Sequence, residues 1–523
     1  MKKFLNYRPI VFAAIALIVG IFVSTLFFAA DISVCMFWVI FGVFAFIMLV
    51  SIFGWIVYRS DFDLKMIFKR VAAFMIAVLV GVGSVSLASL NVENHGVVAG
   101  TYNISARVAA MPAKSSSTDN YTLVLDSMNA ESDDAKFSVN GKVKMYVYAE
   151  FLSDDNLVIG DRIAFRAHIY SEKMDSAAAK RNNFSNLSDG IFTRGTIYSD
   201  IVKIGDAEVS IFEKLKIKSS EFLSSSMSES AAGIAFGMMF GDTSMMDMDV
   251  TEDYRLAGIS HLLAVSGLHV GFVVTLVVGL LSLLKVNDKV TFVIVVSVLF
   301  LYLIMCNFAL SMVRAFIMTV CMLFAKCRKK SYDSLSALFF ALILILLISP
   351  LSLFDVGLRM SFAAVLGILL LSKTFSRVFS KIMFTPFAES LALSLSASIG
   401  IAIVTIGVFE KITVLSVFTN MVVIPIASVA YMFLFVALMI SLIFPAAAPM
   451  LIGFEYLMVP VNGMAAAAAS ISINNISVRA ASGYEVMLFG GIFVSSDYFF
   501  ARARYRIPVA IMFFALGMLI MVL

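Results

Sequence analysis

Charged residues are scarce in this chain of 523 amino acids. Lysine, arginine, aspartate and glutamate make up 14% of it, whereas an ordinary soluble domain carries roughly 25%. Hydrophobic residues make up 61% of this chain. So little charge excludes a water-soluble globular protein. The composition instead predicts a polytopic α-helical membrane protein, because a run of about 20 apolar residues can cross a bilayer as one helix.

Residues that bind metals and nucleotides are also few. The four cysteines lie in or beside apolar segments, so their spacing predicts neither a disulfide framework nor a zinc site. The four histidines form no metal-ligand pattern, and the sequence has no Walker motif. We therefore expect no cofactor, no metal centre, and no ATP-driven transport by this chain alone.

Residues 1–90 form a first membrane block. Its three predicted spans are Ile10–Ala30, Val34–Val57 and Val71–Leu90, and we expect the first to be retained rather than removed as a signal peptide. Basic residues precede the first span and fill the loop between the second and third. The positive-inside rule assigns both to the cytoplasm, so the third span leads the chain to the outer face.

Residues 231–523 form a second and larger membrane block, which we interpret as a multi-helix channel domain. Several of its apolar runs are short for a complete crossing, so re-entrant pieces are expected. The basic clusters Lys326–Lys330 and Ala501–Arg506 are predicted to be cytoplasmic. Its predicted spans include Leu415–Ala430, Tyr431–Ile443 and Ile507–Leu523.

Between the two blocks, residues 91–208 are more polar and alternate like β-strands. Five strands are predicted: Val98–Ala109, Tyr121–Ser127, Lys142–Glu150, Arg162–Ile169 and Ile191–Lys203. Five short strands suit a small extracellular β-barrel of the OB type, with a sandwich fragment as the alternative. Residues 209–230 then predict an amphipathic helix at the membrane interface, or a helical linker.

Two of the predicted strands place basic and aromatic side chains on one face. The residues concerned are Lys142, Lys144, Tyr146 and Tyr148 in one strand and Arg162, Arg166 and His168 in the other. Proteins bind single-stranded nucleic acid with cations for the phosphates and rings for base stacking, so this face predicts DNA binding. The plainer alternative is a solvated outer face of a half-exposed sheet.

The stretch from Gly258 to Gly271 is unusually polar for a membrane block. Its small and ionisable residues are Gly258, His261, Ser266, Gly267, His269 and Gly271. Polar groups at membrane depth usually face a bundle interior or a watery path. Ser266 and His269 share a helix face, which leaves open a nucleophilic pair, polar helix packing, or the lining of a path. No orienting acid accompanies the pair, which disfavours catalysis.

Two arginines and an acidic patch complete the candidate features. Arg314 and Arg359 lie in apolar segments, where an arginine must pair, reach an interface, or line a path for phosphates. Asp355 and Glu410 are candidate structural partners. The acidic patch Asp242–Asp253 could offer oxygen ligands to a metal, but a solvated turn is favoured because no loop pattern specifies a metal site.

The segment AGISHLLAVSGLHVGF, Ala257–Phe272, resembles the signature of the ComEC family of competence proteins. Gly237–Met246, Met312–Met318 and Asp355–Ile368 are looser matches in the family's order. The resemblance implies an inner-membrane channel for the uptake of single-stranded DNA in natural transformation, with an extracellular OB-like domain and no enzymatic activity. The channel would be lined by signature residues and two arginines: Gly258, His261, Ser266, Gly267, His269, Gly271, Arg314 and Arg359.

This chain departs from the family pattern in two places. Val356-Gly357-Leu358 stands where Pro-Gly-Phe is usual, and Arg359 stands where glutamine is more common. Many members also carry a C-terminal metallo-β-lactamase-like domain, which is not expected here because the histidines lack its metal-binding pattern.

The resemblance also implies partners and a location. They are single-stranded DNA, membrane lipid, a DNA receptor on the outer face, a cytoplasmic DNA translocase and a separate nuclease, with a homo-oligomer also open. The location is the bacterial inner membrane, which the chain crosses several times. Two other functions remain open: a secondary transporter of a small anionic solute, and an intramembrane hydrolase that uses Ser266 and His269.

Overall fold

The computed structural model describes residues 8–29, 34–57, 62–95, 99–114, 120–131, 136–139, 141–152, 157–171, 184–188, 190–206, 208–413, 415–471, 475–477, 484–496, 512–513 and 515. These residues divide into two compact units. The barrel unit comprises residues 8–210 and 336–355, and the bundle unit comprises residues 211–335 and the described residues after 355.

The barrel unit begins with three apolar helices, α1 (Pro9–Ala29), α2 (Val34–Val57) and α3 (Phe62–His95). The backbones of α1 and α3 touch at two glycines. A Cβ on Gly20 would lie 2.1 Å from the carbonyl oxygen of Val78, and one on Gly81 would lie 2.5 Å from that of Leu17. Small residues permit such contact between helices in lipid, where no hydrophobic force drives association. The three predicted helices are confirmed.

Eight strands follow: β1 (Gly100–Val108), β2 (Ala113–Lys114), β3 (Asn120–Glu131), β4 (Lys136–Val139), β5 (Lys142–Tyr148), β6 (Asp161–Ser171), β7 (Ile191–Ile197) and β8 (Val202–Asp206). The short helix α4 (Phe184–Ser188) precedes β7. Five strands close into a ring in the order β1-β3-β5-β7-β6, since β6 pairs back onto β1. Only β5 and β7 run parallel in this ring. The predicted OB-like barrel is therefore confirmed.

The barrel follows the period-two pattern of its strands. Its core is formed by alternate side chains, among them Leu123, Val143, Met145, Ile163 and Ile169, all fully buried. The predicted strand Ile191–Lys203 is wrong in one respect, because the chain forms two strands, β7 and β8, over this range. After Ile197 the chain leaves the ring to pair with the first half of β6.

The bundle unit contains α5 (Ile211–Ser226), α6 (Glu229–Phe240), α7 (Met248–Leu256), α8 (Gly267–Leu283), α9 (Asp288–Met305), α10 (Leu310–Cys327), α12 (Val356–Phe379), α13 (Thr385–Phe409), α14 (Ser416–Ile443), α15 (Ile452–Ala469) and α16 (Tyr484–Ser495). Helix α11 (Ser334–Ile348) falls mostly in the range of the barrel unit. Two short strands, β9 (Lys411–Thr413) and β10 (Asn475–Ser477), pair antiparallel.

Among the described residues, eight helices are long and apolar enough to cross a membrane: Pro9–Leu26, Met66–Leu90, Asp288–Met305, Leu310–Cys327, Val356–Phe379, Thr385–Phe409, Ser416–Ile443 and Pro445–Ala469. Helix α8 is apolar but shorter. The predicted polytopic α-helical architecture with an inserted β-barrel is therefore confirmed.

Two predicted segments are wrong in their bounds. Leu415–Ala430 and Tyr431–Ile443 form one continuous helix, α14, because Ala430 and Tyr431 are buried helical residues and Pro425 is accommodated inside the helix. Helix α8 begins at Gly267 because Ser266 adopts an extended conformation and caps it. Most of the predicted span Ile507–Leu523 lies outside the described residues.

Candidate functional site

The polar stretch of the bundle unit folds as a short 3₁₀ turn followed by the start of α8. Ser266 is the N-cap residue of α8. Its Oγ accepts a hydrogen bond from the backbone N–H of Leu268 at 3.3 Å, and its own N–H donates to Nδ1 of His269 at 3.1 Å. The serine and histidine also approach each other directly, with 3.3 Å between Oγ and Nδ1. The contact between Ser266 and His269 is therefore part of a capping box, which fixes where α8 starts.

His269 is also part of the core of the bundle. It is 1% exposed, and its ring lies 4.4 Å from that of Tyr431 in α14. The Tyr431 hydroxyl is 2.8 Å from that of Tyr302 in α9, and Tyr302 donates to the carbonyl oxygen of Met239 at 2.8 Å. This buried polar chain links α6, α9 and α14 to the first turn of α8. His261, in contrast, is half-buried in the 3₁₀ turn Ser260–Leu262.

The glycines of this stretch have different surroundings. Gly258 has a φ of +74°, and a Cβ there would lie 2.6 Å from Cβ of Ser416, so both its conformation and its contact with the start of α14 require glycine. A Cβ on Gly267 would lie 3.0 Å from Nη2 of Arg314. Around Gly271, no described residue would lie within 4 Å of such a Cβ.

Arg314 lies near the start of α10 and is 5% exposed. Among the residues that the structure describes, its Nε has no hydrogen-bond partner, and its Nη1 approaches only the thioether of Met318, at 3.9 Å. A thioether is a weak acceptor. The guanidinium thus lies near the N-terminus of α8, and no carboxylate among the described residues pairs with it.

Arg359 has a partner that its sequence position did not indicate. Its Nη2 donates to Oε1 of Glu485 in α16 at 2.5 Å, and both side chains are a little under one-third exposed. Among the described residues, the ion pair of Arg359 is with Glu485 and not with the candidate partners Asp355 and Glu410. Asp355 precedes α12, and Glu410 is the left-handed C-cap residue of α13. Arg359 therefore ties α12 to α16.

The acidic patch also forms local structure. Lys216 of α5 donates to Asp242 at 2.7 Å, and Asp242 accepts the N–H of Ser244. Burial alone would raise the pKa of the Asp242 carboxyl, but the charge and hydrogen bond of Lys216, with the hydrogen bond from the backbone N–H of Ser244, hold it below its ordinary value. Asp247 is the N-cap residue of α7. In the part of the chain that the structure describes, no three histidine, cysteine or acidic side chains are grouped to hold a metal.

The barrel presents the predicted DNA-binding side chains on its outer surface. Along β5, Val143, Met145 and Val147 are buried and the four predicted residues alternate with them. Arg162, Arg166 and His168 of β6 are exposed. The predicted orientation of Lys142, Lys144, Tyr146, Tyr148, Arg162, Arg166 and His168 is therefore confirmed, although their binding role stays a prediction.

Strand β7 brings three of these residues, Lys144, Tyr146 and His168, into two adjoining rows. Lys144 is paired with Arg194, which is paired with Tyr170, and Tyr146 is aligned in the same way with Thr196 and His168. Each row crosses two strand spacings, about 10 Å. Lys142 and Arg162 lie at opposite ends of this face, since Lys142 pairs with Ile191 and Arg162 pairs with Gly205.

Two members of this face were missed from the sequence. Arg194 and Tyr170 lie outward beside Lys144 and His168, and the rings of His168 and Tyr170 are 5.3 Å apart. The alternation of Ile191, Thr193, Gly195 and Ile197 would have placed Arg194 outward. An adjoining cleft of about 770 Å³ is lined by polar residues that include Asn103, Asn129, Glu131, Arg166, Ser199 and Asp200.

Comparisons with known proteins connect the bundle unit to a family. The family model described as Competence protein matches residues 238–501, a range that contains the α8 cap, Arg314 and Arg359 but not the barrel. ComE operon protein 3 of Bacillus subtilis (strain 168) is 28% identical over 204 residues, which cover 39% of this chain and 26% of that relative's length. No solved structure matches the chain.

Proposed function

Because this chain belongs to the Competence protein family, we propose that it conducts single-stranded DNA inward across the cell membrane during natural transformation. The observation that carries the proposal is the family match over residues 238–501. The chain is a multi-pass protein of the bacterial inner membrane, with eight described helices capable of crossing it.

The path for DNA is assigned to the bundle unit. Each phosphate of the strand carries a charge that lipid rejects, so the path must be wet and mildly cationic. The polar start of α8 and the two arginines meet that demand better than the surrounding apolar helices. The proposed lining residues are Gly258, His261, Ser266, Gly267, His269, Gly271, Arg314 and Arg359.

The barrel is proposed as the extracellular part that binds the strand. Its face carries cations and rings in adjoining rows, the combination that sequence-tolerant single-strand binding uses. Its outer location follows from the positive-inside rule applied to the loops of the first three helices. In this proposal residues 1–90 anchor the barrel, residues 91–208 form it, residues 209–230 link it, and residues 231–523 form the channel.

Transport of a polymer requires partners that this chain does not itself supply. We propose an outer-face DNA receptor, a cytoplasmic translocase that pulls the strand, and a separate nuclease that removes the complementary strand. We assign no catalytic step to the chain. The surrounding membrane lipid and a homo-oligomeric assembly belong to the same proposal.

One observation favours a second candidate, a secondary transporter of a small anionic solute. The N-terminus of α8 lies beside the buried guanidinium of Arg314, and helix ends of this kind face anionic substrates in transporters. Loss of radiolabelled phosphate uptake on deletion, with DNA uptake unchanged, would favour this candidate.

Deletion of the gene in a naturally transformable host tests the main proposal. Labelled DNA that has become resistant to added nuclease is measured separately from DNA bound at the cell surface. We expect the internalised fraction to be lost, the surface-bound fraction to remain, and the full-length gene to restore uptake. Unchanged internalisation would contradict the channel.

A further inference from the structure

The start of α10 holds a buried cation that no described carboxylate balances. Arg314 is 5% exposed, and its Nε has no hydrogen-bond partner among the described residues. Within the same residues, its one side-chain hydrogen bond is the weak contact with the sulfur of Met318. Buried arginine in a protein is ordinarily paired with a carboxylate or held by several acceptors. The described surroundings of Arg314 therefore lack an anion.

The guanidinium is directed at the N-terminus of α8. Nη2 of Arg314 would be 3.0 Å from a Cβ on Gly267, the first residue of the helix, and Cβ of Ala315 would be 3.6 Å from it. Ser311 fixes the same juxtaposition, because its Oγ donates to the carbonyl oxygen of Val265 at 2.6 Å. The start of α10 is thus held against the segment that leads into α8.

A helix N-terminus adds a second attraction for anions. Its first N–H groups have no partner inside the helix, and the peptide dipoles leave a partial positive charge there. In α8 the capping box engages the N–H groups of Ser266 and Leu268. Gly267 has no side chain, which lets the guanidinium of Arg314 lie close to the end of the helix.

The site lies on the membrane side opposite the basic loop. Lys326, at the end of α10, pairs with Asp288, at the start of α9, at 3.2 Å, so these two helix ends share one side. Arg314 precedes Lys326 by 12 residues, which is about 18 Å along a helix. Under the positive-inside rule the basic loop Lys326–Lys330 is cytoplasmic, which places Arg314 in the outer half of the bundle.

We infer that Arg314, Gly267 and the first turn of α8 form a binding site for a single phosphate group. Arginine suits this ligand because its planar fork can donate two parallel hydrogen bonds to phosphate oxygens. The bound anion would supply the charge that the described surroundings of Arg314 lack. Under the proposed function, on which this identification of the ligand rests, the occupant is a backbone phosphate of the incoming DNA strand.

The test measures the melting temperature of the purified full-length protein in a phosphate-free detergent as inorganic phosphate replaces chloride at constant ionic strength. We expect a saturable rise for the wild type. Gly267→Ala should abolish the rise, since the added methyl group would occupy the approach to Arg314. Arg314→Met should abolish it as well, without lowering the melting temperature measured in chloride, because it removes an unbalanced buried charge.

Matched controls separate loss of the site from general damage. Gly279→Ala introduces the same methyl group in α8, where no described atom lies within 4 Å of it. Arg255→Met removes an exposed arginine that pairs with Glu252. Both should keep the phosphate response. An absent response in the wild type, or an equal response in all five proteins, overturns the site.

The source of the phosphate is tested with two further ligands, short oligodeoxythymidylate and dihexanoylphosphatidylglycerol. Stabilisation by the oligonucleotide that depends on Gly267 and Arg314 supports a DNA phosphate. Stabilisation by the lipid alone overturns the DNA assignment. Failure of this site and failure of the proposed function give different results. Loss of DNA uptake in the deletion strain without a phosphate response of the purified protein contradicts only the site. A phosphate response without loss of DNA uptake contradicts only the proposed function.

Discussion

The barrel and the bundle hold positive charge in opposite ways. On the barrel, Lys144 and Arg166 lie on an outer surface among rings, where water and salt reach them. In the bundle, Arg314 is buried at the end of a helix with no carboxylate in contact among the described residues. Exposed charge attracts a polyanion from a distance and is screened by salt. A buried charge acts only on a group that fits against it, so the interaction depends on the shape of the ligand.

The largest effect on DNA uptake is expected from a substitution at the buried site. In a naturally transformable host, Arg314→Met should lower internalised DNA by about 30-fold or more, because losing a desolvated charge contact costs roughly 2–5 kcal/mol. Surface-bound DNA should be unchanged. Nuclease-protected label is the readout, and Gly279→Ala is the matched control in the neighbouring helix. Normal uptake by Arg314→Met would remove Arg314 from the path.

Charge reversal on the barrel should have a smaller effect that depends on salt. We expect Lys144→Glu with Arg166→Glu to weaken binding of oligodeoxythymidylate to the full-length protein about tenfold at low salt. The slope of log affinity against log salt should fall by about 1.4, since each lost phosphate contact contributes roughly 0.7 for single strands.

The ends of the same face provide a graded comparison. Lys142→Glu and Arg162→Glu should each weaken binding less, because these residues lie at opposite ends of the rows. Arg255→Glu changes the net charge outside the barrel and serves as the control. Equal affinity and equal salt slope for the double variant and the wild type would refute the barrel face.

The ion pair between Arg359 and Glu485 should make a small contribution to the stability of the bundle. Both side chains are partly exposed, so a double-mutant cycle with Arg359→Gln and Glu485→Gln should yield a coupling of about 0.5–1 kcal/mol. The double variant Arg359→Glu with Glu485→Arg, which exchanges the two charges, should recover part of this coupling free energy. A coupling near zero would show that the contact does not stabilise the bundle.

The smallest expected effect concerns pH. The pKa of Asp242 is held below its ordinary value of 3.8, so its carboxylate stabilises the fold above that value and the contribution is lost as the pH falls below it. The melting temperature of the purified protein should fall between pH 5 and 3 by about 1 °C more for the wild type than for Asp242→Asn. An identical pH profile in the two proteins would argue against this contribution.

The sequence predicts those features that depend on local periodicity. Alternation located the strands of the barrel and the outward residues of β5 and β6, because one face of each strand is buried. The same rule applied to Ile191–Ile197 would have found Arg194. The proximity of Ser266 and His269 was predicted from helical spacing, yet it arises differently, since Ser266 caps α8 instead of lying within it.

Features that depend on tertiary contacts were not predictable. Glu485 lies 126 residues after Arg359, and no local pattern relates them. The surroundings of Arg314 depend on how α8 and α10 pack together. The lack of a carboxylate beside it in the described structure could therefore not be predicted from local sequence. The continuity of α14 was not predictable either, since its 28 residues exceed one ordinary crossing.

The closed ring of the barrel also constrains the order of biosynthesis. Strand β1 pairs with β6 through Gly100 and Ile169, which are 69 residues apart. At about 5–20 residues per second, a nascent chain would expose this edge of β1 for several seconds while α1–α3 are already available for membrane insertion. An open strand edge readily pairs with the wrong strand. Aggregation therefore competes with correct assembly during the interval between the synthesis of β1 and the synthesis of β6.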